Sequence, residues 1–163
     1  MYLSRRFNTL FLAASIGMAA LVSGPAFADG TIRAELWDRG GDMMIQGMGM
    51  GMHADMKMAT MGVRVDRTVV PAGKVTFDAT NSSKETIHEM LVSPLKSRDA
   101  TLPYVANEER VDEDGSGHLG EIAELEPGQT GSMTLNLKPG LYVLFCNIPG
   151  HYVAGMWTII EAK

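Results

Sequence analysis

Between residues 63 and 160 apolar and polar positions alternate in short runs, and turn residues separate the runs. Val63 and Val65 flank Arg64, and Thr68-Val69-Val70 leads into a Pro71-Ala72-Gly73 turn. Residues 74–79 (Lys-Val-Thr-Phe-Asp-Ala) then alternate with β-branched and aromatic side chains on one face, the pattern of a half-buried strand. Asn81-Ser82-Ser83 breaks that run, and residues 86–92 read as the next strand. After Glu126-Pro127-Gly128, a strand over residues 131–137 places Met133, Leu135 and Leu137 on one face. Lys138-Pro139-Gly140 turns the chain into a strongly apolar strand over 141–146, and a last strand spans 156–160. An earlier strand at 31–37 is predicted to join one of the sheets. Short strands joined by Pro-Gly turns predict an all-β antiparallel sandwich or barrel.

Two segments break this rhythm. Residues 93–119 are long, polar and acidic, with Asp112-Glu113-Asp114-Gly115 among them, and predict a loop excursion with one helical turn around 105–111. Residues 43–61 carry eight of the thirteen methionines, interleaved with glycine and with His53. No internal repeat of solenoid period is present.

The chain begins with Arg5 and Arg6, an apolar run over residues 10–22 and then Ala26-Phe27-Ala28 before Asp29. A basic start, a short apolar run and small residues two apart describe a secretory signal peptide cut after Ala28. A membrane anchor is the alternative, but the run of 13 residues is short of the roughly 20 that span a bilayer. The predicted organisation is a cleaved signal over 1–28, an N-terminal strand with a flexible methionine-rich segment over 29–62, and the sandwich domain over 63–163. The expected location is the periplasm.

Composition narrows the function. The full chain of 163 residues has a net charge of -5, and cleavage after Ala28 leaves 12 basic against 19 acidic residues, a net charge of -7. No basic excess exists to neutralise phosphates, which argues against a nucleic-acid partner. A single cysteine excludes an internal disulfide, a thiolate zinc finger and an iron–sulfur cluster within one chain. A lone thiol is unusual in an oxidising compartment, where thiols pair or are damaged. As no more than a small buried hydrophobe, Cys146 leaves its own retention unexplained.

Cys146 ends the apolar strand and opens the loop Cys146-Asn147-Ile148-Pro149-Gly150-His151-Tyr152-Val153-Ala154-Gly155-Met156, a Cys-x4-His-x4-Met pattern. A soft thiolate, an imidazole and a thioether so close together match a single copper ion held by two histidines and a cysteine, with a weak axial methionine. The second imidazole is expected from His88, in Thr86-Ile87-His88-Glu89-Met90. Taken singly, His88 reads as a polar strand residue and Met156 as core filler; together with Cys146 and His151 they form a ligand set.

From Val63 to Ile160 the chain resembles the cupredoxins, the type 1 copper proteins. The resemblance rests on Val70-Pro71-Ala72-Gly73-Lys74-Val75-Thr76-Phe77, Asn81 and His88, on Leu125-Glu126-Pro127-Gly128 and Lys138-Pro139-Gly140-Leu141-Tyr142, and on the Cys146–Met156 loop. Its x4/x4 spacing is similar to that of the rusticyanin, auracyanin and sulfocyanin group. The resemblance implies a Greek-key β-sandwich, one copper cycling between Cu(I) and Cu(II), equatorial ligands His88, Cys146 and His151, and axial Met156. It also implies that His151 exposes its ring edge within an apolar patch of Pro149, Gly150, Tyr152 and Val153, where a redox partner docks. Many family members carry Asn after the first histidine, pinning the ligand loop; Glu89 stands there, either beside the copper or turned to solvent.

The methionine-rich segment reads in two ways. Thioethers suit Cu(I), so it can serve as an auxiliary capture loop with His53 able to hold Cu(II); alternatively it is an adaptable apolar flap. Met-Gly-Met-Gly-Met favours the first, because it would pack poorly as a core. His118 is read as a loop residue. Two functions follow: a soluble, monomeric electron carrier, its acidic surface matched to a basic redox partner, or a periplasmic copper-handling protein acting in copper tolerance. Four histidines after Ala28 are too few for a multicopper oxidase, and no Ser-His-Asp pattern or phosphate loop is present, so no enzyme is expected.

Overall fold

The computed structural model describes residues 30–40, 45–52 and 54–163; the proposed signal over 1–28, Met43, Met44 and His53 lie outside these residues. Strands form where the alternation predicts them. In chain order they are β1 (Gly30–Asp38), β2 (Met61–Val65), β3 (Val69–Val70), β4 (Gly73–Asn81), β5 (His88–Leu95), β6 (Tyr104–Val105) and β7 (Arg110–Val111). A four-residue helix α1 (Glu113–Ser116) follows, then β8 (Gly120–Leu125), β9 (Thr130–Leu137), β10 (Gly140–Phe145) and β11 (Trp157–Ala162). Met56–Met58 form a single 3-10 turn.

The strands build a β-sandwich. One sheet has the order β2-β1-β4-β9 and the other β3-β11-β10-β5-β8, with β6 and β7 as a separate hairpin. Most pairings are antiparallel, but β1 runs parallel to β4 and β3 parallel to β11.

Each period-2 strand of the four-stranded sheet turns one face inward. Ile32, Ala34 and Leu36 from β1 and Val75, Phe77 and Ala79 from β4 meet Met90 and Val92 of β5, Tyr142 and Leu144 of β10, and Ile160 of β11. Burial of each large side chain contributes about 1.5–3 kcal/mol. The inner core thus follows directly from alternation.

β10 does not alternate: Tyr142, Val143, Leu144 and Phe145 are all buried. A continuous apolar strand needs cover on both faces. Tyr142 and Leu144 face the inner core, whereas Val143 and Phe145 join a second cluster with Leu91, Leu102, Val111, Tyr152, Val153 and Met50. That outer cover comes from the two segments that broke the strand rhythm.

Three expectations change here. The helical turn expected over 105–111 is the β6–β7 hairpin, and the helix lies one step later, where the Asp112 carboxylate accepts from the Gly115 N–H as an N-cap. β8, unforeseen in the sequence, pairs with β5. Met48 and Met50 pack into the structure at 1% and 4% exposure, contrary to the expectation that glycine-interrupted methionines would pack poorly.

Candidate metal centre

His88 is placed by the turn that precedes it. The buried Asn81 side chain donates to the carbonyls of Thr86 and Leu125 and accepts from the Ser83 N–H and hydroxyl, so its amide is fully used. The chain then enters β5, which carries a register irregularity between His88 and Met90 and is buried on both faces from His88 to Ser93.

Cys146 lies immediately after β10, and its N–H donates to the Met156 carbonyl at 3.0 Å, closing the loop. Inside the loop, the His151 N–H donates to the Ile148 carbonyl and the Met156 N–H to the His151 carbonyl. Gly155 adopts φ 101°, and a side chain there would lie 3.0 Å from Ala59 Cβ. The position therefore demands glycine twice over, by conformation and by space.

The structure brings three of the sequence-predicted ligands together. Their donor atoms lie within 4.8 Å of one another, and all three residues are buried. His151 Nδ1 is 3.3 Å from both Cys146 Sγ and His88 Nδ1. Such a spacing can be bridged by one ion with bonds of about 2.0–2.3 Å. Met156 is also fully buried and shares the inner cluster with Cys146. His118 follows α1 and stands outside this group.

Burial favours the uncharged form of each residue in the metal-free cluster. Burial pushes the Cys146 thiol up to about 12, so the thiolate needs a compensating positive charge. Burial, reinforced by neighbouring His88, pushes His151 down to about 4. Burial also lowers His88, against the opposing pull of Asp38. Neutral imidazoles are the form that binds a metal.

Glu89 is neither a solvent residue nor a donor in the cluster. Its N–H lies 3.5 Å from Cys146 Sγ and its carboxylate accepts from the Asn147 N–H at 3.1 Å. It thus pins the ligand loop, and burial raises its carboxyl pKa.

Two further supports were not foreseen. Asn147 exchanges hydrogen bonds with the Val111 backbone at 2.7 and 3.0 Å, tying the loop to the β6–β7 hairpin. On the other side, the Met48 N–H donates to the Val153 carbonyl at 2.7 Å, the Met50 N–H to the Tyr152 hydroxyl at 2.9 Å, and the Trp157 indole to the Met48 carbonyl at 2.7 Å.

This cover lies over Tyr152 and Val153 and corrects the expectation that they form an exposed patch around His151. His151 is 5% exposed, Tyr152 and Val153 are 1% and 4% exposed, and Gly150 is buried. Only Pro149 of the expected patch is exposed. The opening beside His151 lies elsewhere, in a cleft of about 410 Å³ lined by Thr86, Ile87, Ile148 and the charged Glu85, Arg110 and Glu124. Asp38 was also missed: its carboxylate Oδ2 is 3.2 Å from His88 Nε2. Nothing in the sequence singles it out among 19 acidic residues, because the contact spans 50 positions.

No protein-family model matches the chain, and no curated protein matches it. Solved structures are similar. Dithionite-reduced auracyanin from the photosynthetic bacterium Roseiflexus castenholzii superposes with a TM-score of 0.53 at 21% identity, covering 83% of this chain and 98% of that one. Rusticyanin from Thiobacillus ferrooxidans gives a TM-score of 0.52 at 18% identity, covering 82% and 76%. Auracyanin B gives 0.51 at 20%, covering 82% and 88%. The chain has the fold of these proteins, the cupredoxin β-sandwich.

Proposed function

We propose that this chain is an exported type 1 copper protein that carries single electrons, with His88, Cys146 and His151 as equatorial ligands and Met156 as the axial one. The observation that carries the reading is the buried cluster of two imidazoles and one thiol on a sandwich that shares the auracyanin and rusticyanin fold. The soft-and-borderline donor set fits copper. When bound, copper supplies a one-electron Cu(I)/Cu(II) couple.

The chain's own residues supply the rest. Asn81, Glu89 and Asn147 hold the ligands in place before any metal arrives, which keeps reorganisation small when an electron moves. The Glu89 N–H directed at Cys146 Sγ withdraws electron density from the sulfur, and burial excludes water. Ile87 and Ile148 offer an apolar contact beside His151, and the surrounding acidic excess steers a basic redox partner. Export to the periplasm follows from the proposed signal, and no helix among the described residues is long and apolar enough to cross a membrane.

A second reading, copper handling for tolerance, is favoured by Met52, Met56 and Met58, which stand at 38%, 40% and 56% exposure. They are more exposed than Met48 and Met50, and thioethers are suited to Cu(I). Electron counting tests the first reading: a copper-loaded chain should take up and return one electron per copper. Failure to cycle would contradict it. Cu(I) uptake beyond one equivalent that disappears in a Met52/Met56/Met58→Leu variant would establish the second. Excising residues 43–61 is the wrong test, because it would uncover Tyr152 and Val153.

A further inference from the structure

We infer that Asp38 is a positioning residue for His88: its carboxylate fixes the tautomer that presents Nδ1 to the metal and strengthens that donor. The inference rests on the copper reading of the His88, Cys146 and His151 cluster.

Asp38 ends β1 in one sheet and His88 begins β5 in the other, so their contact crosses the sandwich. The side chains are 6% and 0% exposed, which excludes a screened surface pair. Both carboxylate oxygens are engaged, Oδ1 by the Gly40 N–H at 2.9 Å and Oδ2 by His88 Nε2 at 3.2 Å.

The backbone around Asp38 is anchored as well. Asp38 is in register with Met61 of β2, and the Arg39 N–H donates to the Thr60 carbonyl at 2.9 Å. The carboxylate therefore sits at the closed stem of the methionine-rich excursion.

An ionised carboxylate only accepts hydrogen bonds, so the proton between the two groups resides on Nε2. The lone pair of the neutral ring then falls on Nδ1, the atom that lies 3.3 Å from His151 Nδ1 inside the cluster. Carboxylate–histidine–metal arrangements use this contact to fix ring orientation and raise ligand basicity. A more basic imidazole backed by negative charge favours Cu(II) over Cu(I), so Asp38 holds the reduction potential down.

Two variants separate the effects. Asp38→Asn keeps an oxygen acceptor and loses the charge; Asp38→Ala loses both. In metal-free protein, ring ¹⁵N shifts should show the Nε2–H tautomer of His88 in the wild type and in Asp38→Asn, and a mixture in Asp38→Ala. Cu(II) affinity should fall about 10–100-fold in Asp38→Ala. With Cu(I) affinity unchanged, the potential should rise by about 59 mV for each tenfold loss. Asp38→Asn should fall between.

Wild-type potential in a copper-loaded, folded Asp38→Asn would overturn the assignment, even if Asp38→Ala failed to fold. So would an unchanged tautomer in a folded Asp38→Ala. A wild-type chain lacking any thiolate-to-copper band would instead overturn the copper reading, and with it the metal half of this inference. The two failures are therefore distinguishable.

Discussion

The two faces of the five-stranded sheet are covered by different kinds of chain. The inner face packs against regular strands, where Ile32, Leu36, Val75 and Phe77 alternate with polar neighbours. The outer face is covered by the irregular excursion over 93–119 and by the methionine-rich segment, through Leu102, Val111 and Met50. The inner packing makes the sandwich. The outer packing adds something a sandwich alone lacks: it grips the Cys146–Met156 loop from both sides, through Asn147 and through Tyr152 and Val153. The irregular segments thus brace the loop that carries Cys146, His151 and Met156.

The largest effect should come from the inner face. Phe77→Ala removes a fully buried ring and is expected to cost about 3–5 kcal/mol, lowering the denaturant midpoint of the whole domain. Loss confined to the ligand loop would contradict the division between the two faces.

Next is the pH response of the metal-free protein. Burial holds His151 near 4 in the folded chain, against an ordinary value of 6.5. Between these values the unfolded state binds a proton that the folded state does not, so stability falls as pH drops from about 6.5 to 4. The slope attributable to this group reaches about 1.4 kcal/mol per pH unit. His88 adds in the same direction, whereas Glu89, with its raised pKa, acts with the opposite sign. Thermal melts of metal-free wild type and His151→Gln should diverge over this window; parallel curves would refute the assignment.

A smaller effect is expected at the outer clamp. Asn147→Ala leaves the Val111 N–H and carbonyl without partners, at about 1–3 kcal/mol. Amide exchange should accelerate in the ligand loop and the β6–β7 hairpin, while β1 and β4 stay protected. Smallest is Tyr152→Phe, which deletes the hydroxyl that accepts from Met50 N–H, at about 1 kcal/mol. Its signature is faster exchange at Met50 with the inner core unchanged.

The same contrast explains what the sequence reveals. β4 and β9 are legible because a period-2 pattern of large apolar residues reports a one-sided sheet. β8 was not, because its buried residues Ile122 and Leu125 are three apart, with Glu121, Ala123 and Glu124 at the exposed positions. His88, Cys146 and His151 were legible as residue types with a chemical preference and a spacing. Their supports were not: Asp38, Asn147 and the packing of Met48 depend on contacts across tens of residues, which composition and periodicity do not encode. For the same reason the burial of Tyr152 and Val153 was invisible, since their cover comes from a segment about a hundred positions earlier.

We propose a single copper held by Cys146 and two histidines. Its most direct test is a Cu(II) titration of the purified chain and of Cys146→Ser, followed by the visible spectrum. An intense thiolate-to-copper band that saturates at one equivalent in the wild type and is absent from Cys146→Ser is the predicted result. A folded wild-type chain that takes up Cu(II) with no such band, or a band that survives in Cys146→Ser, would contradict it.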